Sequence, residues 1–213
     1  MHRAINSLIG DRMAAIDGKI GKVDDFYFDD QVWTIVYLVV KTGNWLSGRK
    51  VLISPVALIK GADRHGIFSV TLTREQIVNG PDIHSDKPCP AKAMKAGKED
   101  AGSGGDPHLR STHAITGYHI ETPDGEPGYL RDIIIDDETW HIESLVIEMN
   151  NCLEGKNVIL PIKHVREARW SMSKMLVDIP SDRLKDSPGF RESDYSYSEA
   201  EGRSLDHQPS GLR

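Results

Sequence analysis

The sequence is poor in the residues that mark several classes of protein. Only two cysteines, Cys89 and Cys152, occur among 213 residues, and such a low content does not suggest a disulfide framework. The longest apolar stretch, residues 35–40, has the length of a buried strand, whereas a transmembrane helix needs about 20 apolar residues. The first residues also lack the apolar core of a signal peptide. We therefore expect a cytoplasmic protein with free thiols and no transmembrane segment.

An internal repeat organises the chain. Residues 10–81 and 117–188 align without a gap at a constant offset of 107 positions. The matched identities fall on turn residues and apolar strand positions, as expected for two copies of one small fold. Examples are Gly18/Gly125, Gly21/Gly128, Asp25/Asp132 and Trp33/Trp140.

The repeat and the local composition predict four segments. A first unit spans residues 1–81 and a second unit spans residues 114–188. Residues 82–113 between them contain several prolines and glycines, which is typical of a linker. Residues 189–213 carry almost no aliphatic side chains, so we expect a disordered tail.

Alternating apolar residues predict that both units consist of β-strands, the first entered at residues 7–9. The Asp17-Gly18 pair predicts a hairpin, because glycine accepts a positive φ. The alternation breaks between Val23 and Phe26, which predicts a β-bulge. Residues 33–40 are apolar on both faces, as in a closed barrel or a strand covered by a partner. Short helices beginning with a capping box at Thr73, and at Ser181, are predicted to end the units.

The first unit resembles the PRC-barrel domain. The resemblance is carried by residues 21–30 (GKVDDFYFDD), Trp33, residues 37–40 (YLVV) and residues 45–55 (WLSGRKVLISP). The second unit departs from it at Cys152, which replaces Trp45, and at residues 161–162, where the Ser-Pro pair is out of register.

The arrangement is similar to that of bacterial tandem PRC-barrel proteins. It implies an all-β fold of two small PRC-type β-barrels in tandem, each ending in a short helix. Relatives of this kind include the cytoplasmic domain of the H subunit of photosynthetic reaction centres and a ribosome maturation protein. The resemblance therefore implies binding of other macromolecules rather than turnover of a substrate.

Charge is distributed unevenly between the two units. Lys and Arg minus Asp and Glu give +1 for residues 10–81 and −6 for residues 117–188. An acidic surface repels phosphate backbones, which makes nucleic acid an unlikely partner of the second unit.

No pattern of residues predicts a catalytic, cofactor-binding or metal site. The pairs Asp29-Asp30 and Asp136-Asp137 lie in predicted turns, where aspartate bonds to its own backbone. Asp25 and Asp132 follow the predicted bulge, and we expect them to accept backbone N–H bonds. The nine histidines show no zinc-binding spacing, and no nucleophile elbow or phosphate-binding glycine motif occurs.

The candidate partner contact is Trp45 with Leu46 and Arg49, since exposed tryptophan and arginine dominate interaction hot spots. The alternative is that Trp45 covers one end of its own barrel. We expect a non-catalytic adaptor that binds another protein or forms a homodimer. The alternatives are a soluble accessory of a membrane electron-transfer complex, by peripheral association, and a factor associated with the ribosome or RNA.

Overall fold

A computed structural model of the chain describes residues 1–46, 48–59, 66–79, 106–150 and 156–195. Most of the predicted linker and the tail beyond residue 195 lie outside the described residues, as do Cys89 and Cys152.

The described residues form a mostly β structure. The strands are β1 (His2–Ala4), β2 (Arg12–Ala15), β3 (Gly18–Asp29), β4 (Thr34–Thr42), β5 (Lys50–Ile53), β6 (Ile67–Ser69), β7 (Leu109–Ser111), β8 (His119–Thr122), β9 (Gly125–Asp136), β10 (Ile142–Met149), β11 (Asn157–Pro161), β12 (Val165–Arg169) and β13 (Lys174–Val177). The α-helices are α1 (Ile5–Leu8), α2 (Arg74–Val78), α3 (Thr112–Ile115) and α4 (Ser181–Lys185). Single 3₁₀ turns cover Asn44–Leu46, Pro55–Ala57, Ile162–His164, Trp170–Met172 and Glu192–Asp194.

Two sheets have corresponding strand orders. The first runs β5-β4-β3-β2-β6, and the second runs β11-β10-β9-β8-β13-β12. In each sheet the long hairpin is antiparallel, and one parallel pair, β2 with β6 or β8 with β13, follows. One further strand pairs with each long strand: β7 with β3, and β1 with β9.

Several local predictions are confirmed. Ala15 pairs with Gly18, which has a φ of 143°, so the hairpin turn is at residues 16–17. The register of β3 against β4 shifts between Val23 and Asp25, where the bulge was predicted. The Thr73 capping box opens α2, and α4 begins at Ser181.

Two expectations differ from the structure. The strand pairings of the described residues leave both sheets open, so the predicted closed barrel is not found among them. Residues 7–9 do not enter a strand, because Ile5–Leu8 forms α1, whose Ile5 and Leu8 face the core. The strand comes earlier, at His2–Ala4.

The end of the predicted linker also has regular structure. Residues 109–111, which we assigned to the linker, form β7, and the next four residues form α3. The segment packs because Leu109 and Arg110 are buried, the latter through an ion pair described below.

One apolar core joins the two halves. Buried side chains from both sheets belong to a single cluster, including Phe26 and Leu38 of the first sheet and Ile133 and Leu145 of the second. A smaller cluster on the other face of the first sheet contains Tyr27, Val39, Leu52 and Leu109. The apolar residues on both faces of β4 are therefore covered, one face by the core and the other by this smaller cluster.

Candidate functional site at the junction of the two halves

The two halves exchange their first strands. β1 and α1 lie 107 positions before β7 and α3, so they are matched elements, yet each strand pairs with the long strand of the other half. His2 pairs with Asp136, and Leu109 pairs with Asp29. The junction is therefore built from main-chain hydrogen bonds as well as from side-chain packing.

A buried arginine fixes each exchanged strand. Arg110 Nη2 lies 2.8 Å from Asp30 Oδ2, and Arg3 Nε lies 3.1 Å from Asp137 Oδ2. Both arginines are 6% exposed. Removing one partner of such a pair is strongly destabilising, because it leaves a buried charge without compensation. The second aspartate of each predicted turn pair thus holds the junction rather than the turn.

The first aspartate of each pair has the predicted role. Asp29 accepts the backbone N–H groups of Gln31 and Val32, and Asp136 accepts those of Glu138 and Thr139. These bonds to backbone N–H groups, with that of Thr139 the strongest, lower the pKa of Asp136.

Two tryptophans mark the centre of the junction. Trp33 and Trp140 have positive φ values of 52° and 62°, which are uncommon for residues other than glycine. Ile35 N donates to Trp140 O at 2.8 Å, and Ile142 N donates to Trp33 O at 2.7 Å. This reciprocal pair relates the two halves by an approximate two-fold axis, and the hydrogen bonds of the junction hold the unusual backbone.

The first cavity lies between the halves and has a volume of about 960 Å³. Arg3 and Asp137 contribute to its wall. Its base contains Phe68, 4% exposed, and Trp140, 9% exposed, whose rings are 6.3 Å apart. Its apolar lining is completed by Ile35, Val36, Pro55 and Leu58.

A second cavity of about 440 Å³ occupies the matched position in the other half. It is lined by Asp30, Trp33 and Arg110, the counterparts of Asp137, Trp140 and Arg3. Here the chain supplies its own aromatic side chain, Trp170. The Arg110 guanidinium lies over the Trp170 ring at 4.9 Å, and the rings of Trp33 and Trp170 are 6.5 Å apart.

The rims of the cavities differ in polarity. Val56, 90% exposed, and Ile59, 41% exposed, stand at the rim of the first cavity. Their counterparts 107 positions later are Lys163 and Arg166. The exposed apolar rim therefore belongs to the first half, although matched residues such as Arg3 and Arg110 line both cavities.

The carboxylates after the bulges cap the exchanged helices. Asp25 Oδ1 accepts from the backbone N–H groups of Phe26 and His113, and its two oxygens also accept the hydroxyls of Ser111 and Thr112. This environment agrees with the predicted acceptor role, with two hydroxyl donors in addition.

Asp132 has fewer donors in the matched place. Its Oδ1 accepts the backbone N–H groups of Ile133 and Asn6 at 2.7 and 3.1 Å. Burial, which the two bonds only partly offset, raises the pKa of Asp132 to about 6. A buried carboxyl with few donors binds a proton more readily than one with many.

The structure places the candidate contact residue Trp45 at the end of its own sheet. Its Nε1–H donates to Ile20 O at 2.6 Å, and the Arg74 guanidinium lies 5.1 Å from the ring centroid. Trp45 and Leu46 are half-buried against the core, and Arg49 is exposed. These contacts favour the alternative, in which the indole covers one end of its own sheet.

Two histidines of the second half lie beside carboxylates at the surface. His164 Nδ1 lies 2.8 Å from Asp178 Oδ1, and His119 Nδ1 lies 3.3 Å from Glu126 Oε2. The hydrogen bond from His164 lowers the pKa of Asp178, and that from Lys174 lowers the pKa of Glu126. Within the described ranges, no group of three or more His, Cys, Asp or Glu side chains could hold a metal ion.

The most informative residues of the junction were missed by sequence reasoning, because the repeat was taken to begin at residue 10. Aligning residues 2–9 with residues 109–116 at the same offset matches Arg3 with Arg110. That match predicts that an arginine and an aspartate pair in the same way in each half. Nothing in the sequence marks Trp170 as a residue that lines a cavity.

The described residues thus form a mostly β structure whose two halves share one apolar core. Residues 2–70 match the family model of the PRC-barrel domain, so the first half contains a domain of this family. No curated protein matches the chain. Where the structure is described, no helix has the length and apolar character needed to cross a membrane.

Proposed function

We propose that the chain is a non-catalytic binding protein built from two PRC-barrel domains, and that it holds another protein at the first cavity. The observation that carries this proposal is the apolar rim. Val56 and Ile59 expose aliphatic surface above an apolar cavity, while their counterparts 107 positions later are the charged residues Lys163 and Arg166. Apolar residues grouped at a concave surface are typical of interaction sites.

The matched strands of the two halves support the proposal that the second half is another PRC-barrel domain. The long strands β3 and β9 begin and end 107 positions apart, and each has its bulge at the same place. The reciprocal bonds of Trp33 and Trp140 relate the halves in the same way. A second copy of the domain explains this correspondence more simply than two unrelated β folds.

Affinity purification of the full chain from its own cells tests the binding role. The bait is compared with Val56→Lys and Ile59→Arg, which introduce the residue types found at the matched positions 163 and 166. We expect these variants to lose the partner while they keep the stability of the unchanged chain, because both side chains are exposed. A partner retained by both variants at unchanged yield would refute binding at the first cavity.

Trp45 defines a second surface, which the same experiment separates from the first. Trp45→Ala tests the contact predicted for Trp45, Leu46 and Arg49. Loss of the partner with Trp45→Ala alone would move the binding site to that end of the first sheet. Light scattering of the purified chain shows whether the partner is a second copy, since a homodimer formed through the cavity would dissociate in Val56→Lys.

The role of an accessory to a membrane electron-transfer complex has less support. A proton-conducting surface needs groups that exchange protons near neutral pH. Asp132 has a pKa of about 6 but is buried, and the lowered pKa values of Asp178 and Glu126 keep these two carboxylates ionised near neutral pH. Stoichiometric recovery of the chain with an integral membrane complex would nevertheless establish this role in place of the adaptor role.

A further inference from the structure

The second cavity has a tryptophan side chain, Trp170, in its wall, and the surroundings of this side chain can be compared with the lining of the first cavity. Trp170 follows β12 and lines the second cavity, where its ring meets Phe28 edge to face at 6.5 Å and lies beside Trp33. Tyr118 packs on it from another side, with ring centroids 6.3 Å apart. Aromatic rings and an arginine thus enclose an indole in this half.

The first cavity repeats two of the four groups around Trp170, whereas Phe28 and Tyr118 have Ile135 and Asp11 as their counterparts. Trp140 stands where Trp33 stands, Arg3 stands where Arg110 stands, and Phe68 adds an aromatic ring to the base. At the position that matches Trp170 the sequence has Asp63, so the repeat does not supply a tryptophan there. The described lining includes no indole that plays the part of Trp170.

We infer that the first cavity binds an aromatic anchor, a tryptophan side chain of a partner protein, in the place that corresponds to that of Trp170 beside Trp33 and Arg110. The inference rests on the proposed function and gives the partner its chemistry. The anchor enters past Val56 and Ile59 and lies against Phe68 and Trp140. A tryptophan fits because it buries a large apolar area and tolerates a polar edge near the Asp137 carboxylate.

A peptide with the sequence of residues 165–172 is a suitable probe, because it carries Trp170 in its own context. The full chain, labelled with ¹⁵N, is titrated with this peptide and with a peptide in which alanine replaces the tryptophan. We expect the backbone amide signals of Ser69 and Thr139 and the indole signal of Trp140 to shift. The alanine peptide should bind at least about tenfold more weakly, as expected for loss of a buried aromatic anchor.

Matched variants assign the site to one cavity. Val56→Lys should weaken binding of the tryptophan peptide, whereas Val32→Thr in the other half should not change it. Val32 is 58% exposed and is the counterpart of Thr139, so this control exchanges matched residues. Equal binding of the two peptides, shifts confined to other residues or no binding would each overturn the inference.

Other possible occupants of the first cavity would give different experimental results. Shifts of Ser69 and Thr139 on removal of residues 196–213 would show that the chain's own tail fills the cavity, which overturns binding of a partner tryptophan. If the peptide fails but a cellular partner is still lost with Val56→Lys, the proposed function stands and the tryptophan anchor is wrong. If neither depends on Val56, both the function and the anchor are wrong.

Discussion

Asp132 and Asp25 occupy matched positions, but the structure predicts opposite responses when each is changed to asparagine. Asp132 is buried with two backbone donors, and burial raises its pKa to about 6. Asp25 has two backbone donors and two hydroxyl donors. Asparagine keeps one oxygen acceptor in the same place but carries no charge. The comparison therefore isolates the cost of the buried charge.

The magnitude follows from the difference in proton affinity. The pKa of Asp132 is raised from an ordinary 3.8 to about 6 in the folded protein. At about 1.4 kcal/mol per pKa unit, ionising Asp132 costs the folded state about 3 kcal/mol. Between these two pH values the folded protein holds a proton that the unfolded chain has released. The stability from this group is thus fully present below the lower value and is lost as the pH rises through about 6.

Urea unfolding, followed by tryptophan fluorescence from about pH 4 to about pH 7.5, measures this loss. The free energy of unfolding of the unchanged chain includes the contribution of Asp132, which is lost over this pH range. Asp132→Asn has no such contribution, so we expect its free energy of unfolding to decrease by about 3 kcal/mol less than that of the unchanged chain. At neutral pH the variant should be at least as stable as the unchanged chain. Asp25→Asn should instead lose about 2 kcal/mol at neutral pH, since it gives up charge-assisted hydrogen bonds.

Parallel pH profiles for the unchanged chain and Asp132→Asn would refute the reasoning, because the carboxyl group would then titrate alike in the folded and unfolded states. A loss of stability in Asp132→Asn at neutral pH, equal to that of Asp25→Asn, would show that the two backbone bonds outweigh burial. An unchanged m value in each variant confirms that the same surface is exposed on unfolding.

Three further changes test the fold and the junction by urea unfolding. Gly21→Ala should lower the free energy of unfolding by about 3 kcal/mol, because its Cβ would lie 2.0 Å from a carbonyl oxygen of the neighbouring strand. Gly189→Ala is the control, since the nearest atom to its Cβ would be 4.0 Å away. Equal losses in the two variants would contradict the close approach at Gly21. Arg110→Met should lower the free energy of unfolding by about 3–5 kcal/mol, because it leaves the Asp30 charge buried and unpaired. Adding Asp30→Asn should recover part of this loss, since the unpaired charge is then removed. Additive losses would show that the two residues are not coupled. Trp45→Phe should cost about 1 kcal/mol for the lost hydrogen bond, and an unchanged stability would mean that the indole N–H is bonded to water instead.

Local sequence patterns predicted the parts of the fold that depend on neighbouring residues. The bulge after Val23, the capping box at Thr73 and the hairpin at Gly18 each arise from the backbone preferences of a few consecutive residues. Their counterparts in the second half follow from the offset. Such features could be read from the sequence because no distant segment is needed to form them.

The features that define the candidate site depend on distant segments and could not be predicted in this way. Nothing near Arg3 indicates that its partner is Asp137, and nothing near Leu109 indicates that its strand joins β3. The apolar strand 33–40 predicted that both faces of β4 are covered, but not which segments cover them. Trp45 was selected for its residue type, whereas its hydrogen bond to the Ile20 carbonyl depends on the folded chain.

The exchange of first strands has a consequence for synthesis on the ribosome. The first sheet lacks β7 until residue 111 has left the exit tunnel, and β1 waits for β9, whose residue Asp132 is bonded to Asn6 across 126 positions. Contacts of such long sequence separation form late in folding. The first half therefore emerges with one strand position unfilled and one strand unpaired, and we expect nascent chains to resist proteolysis only when both halves are complete.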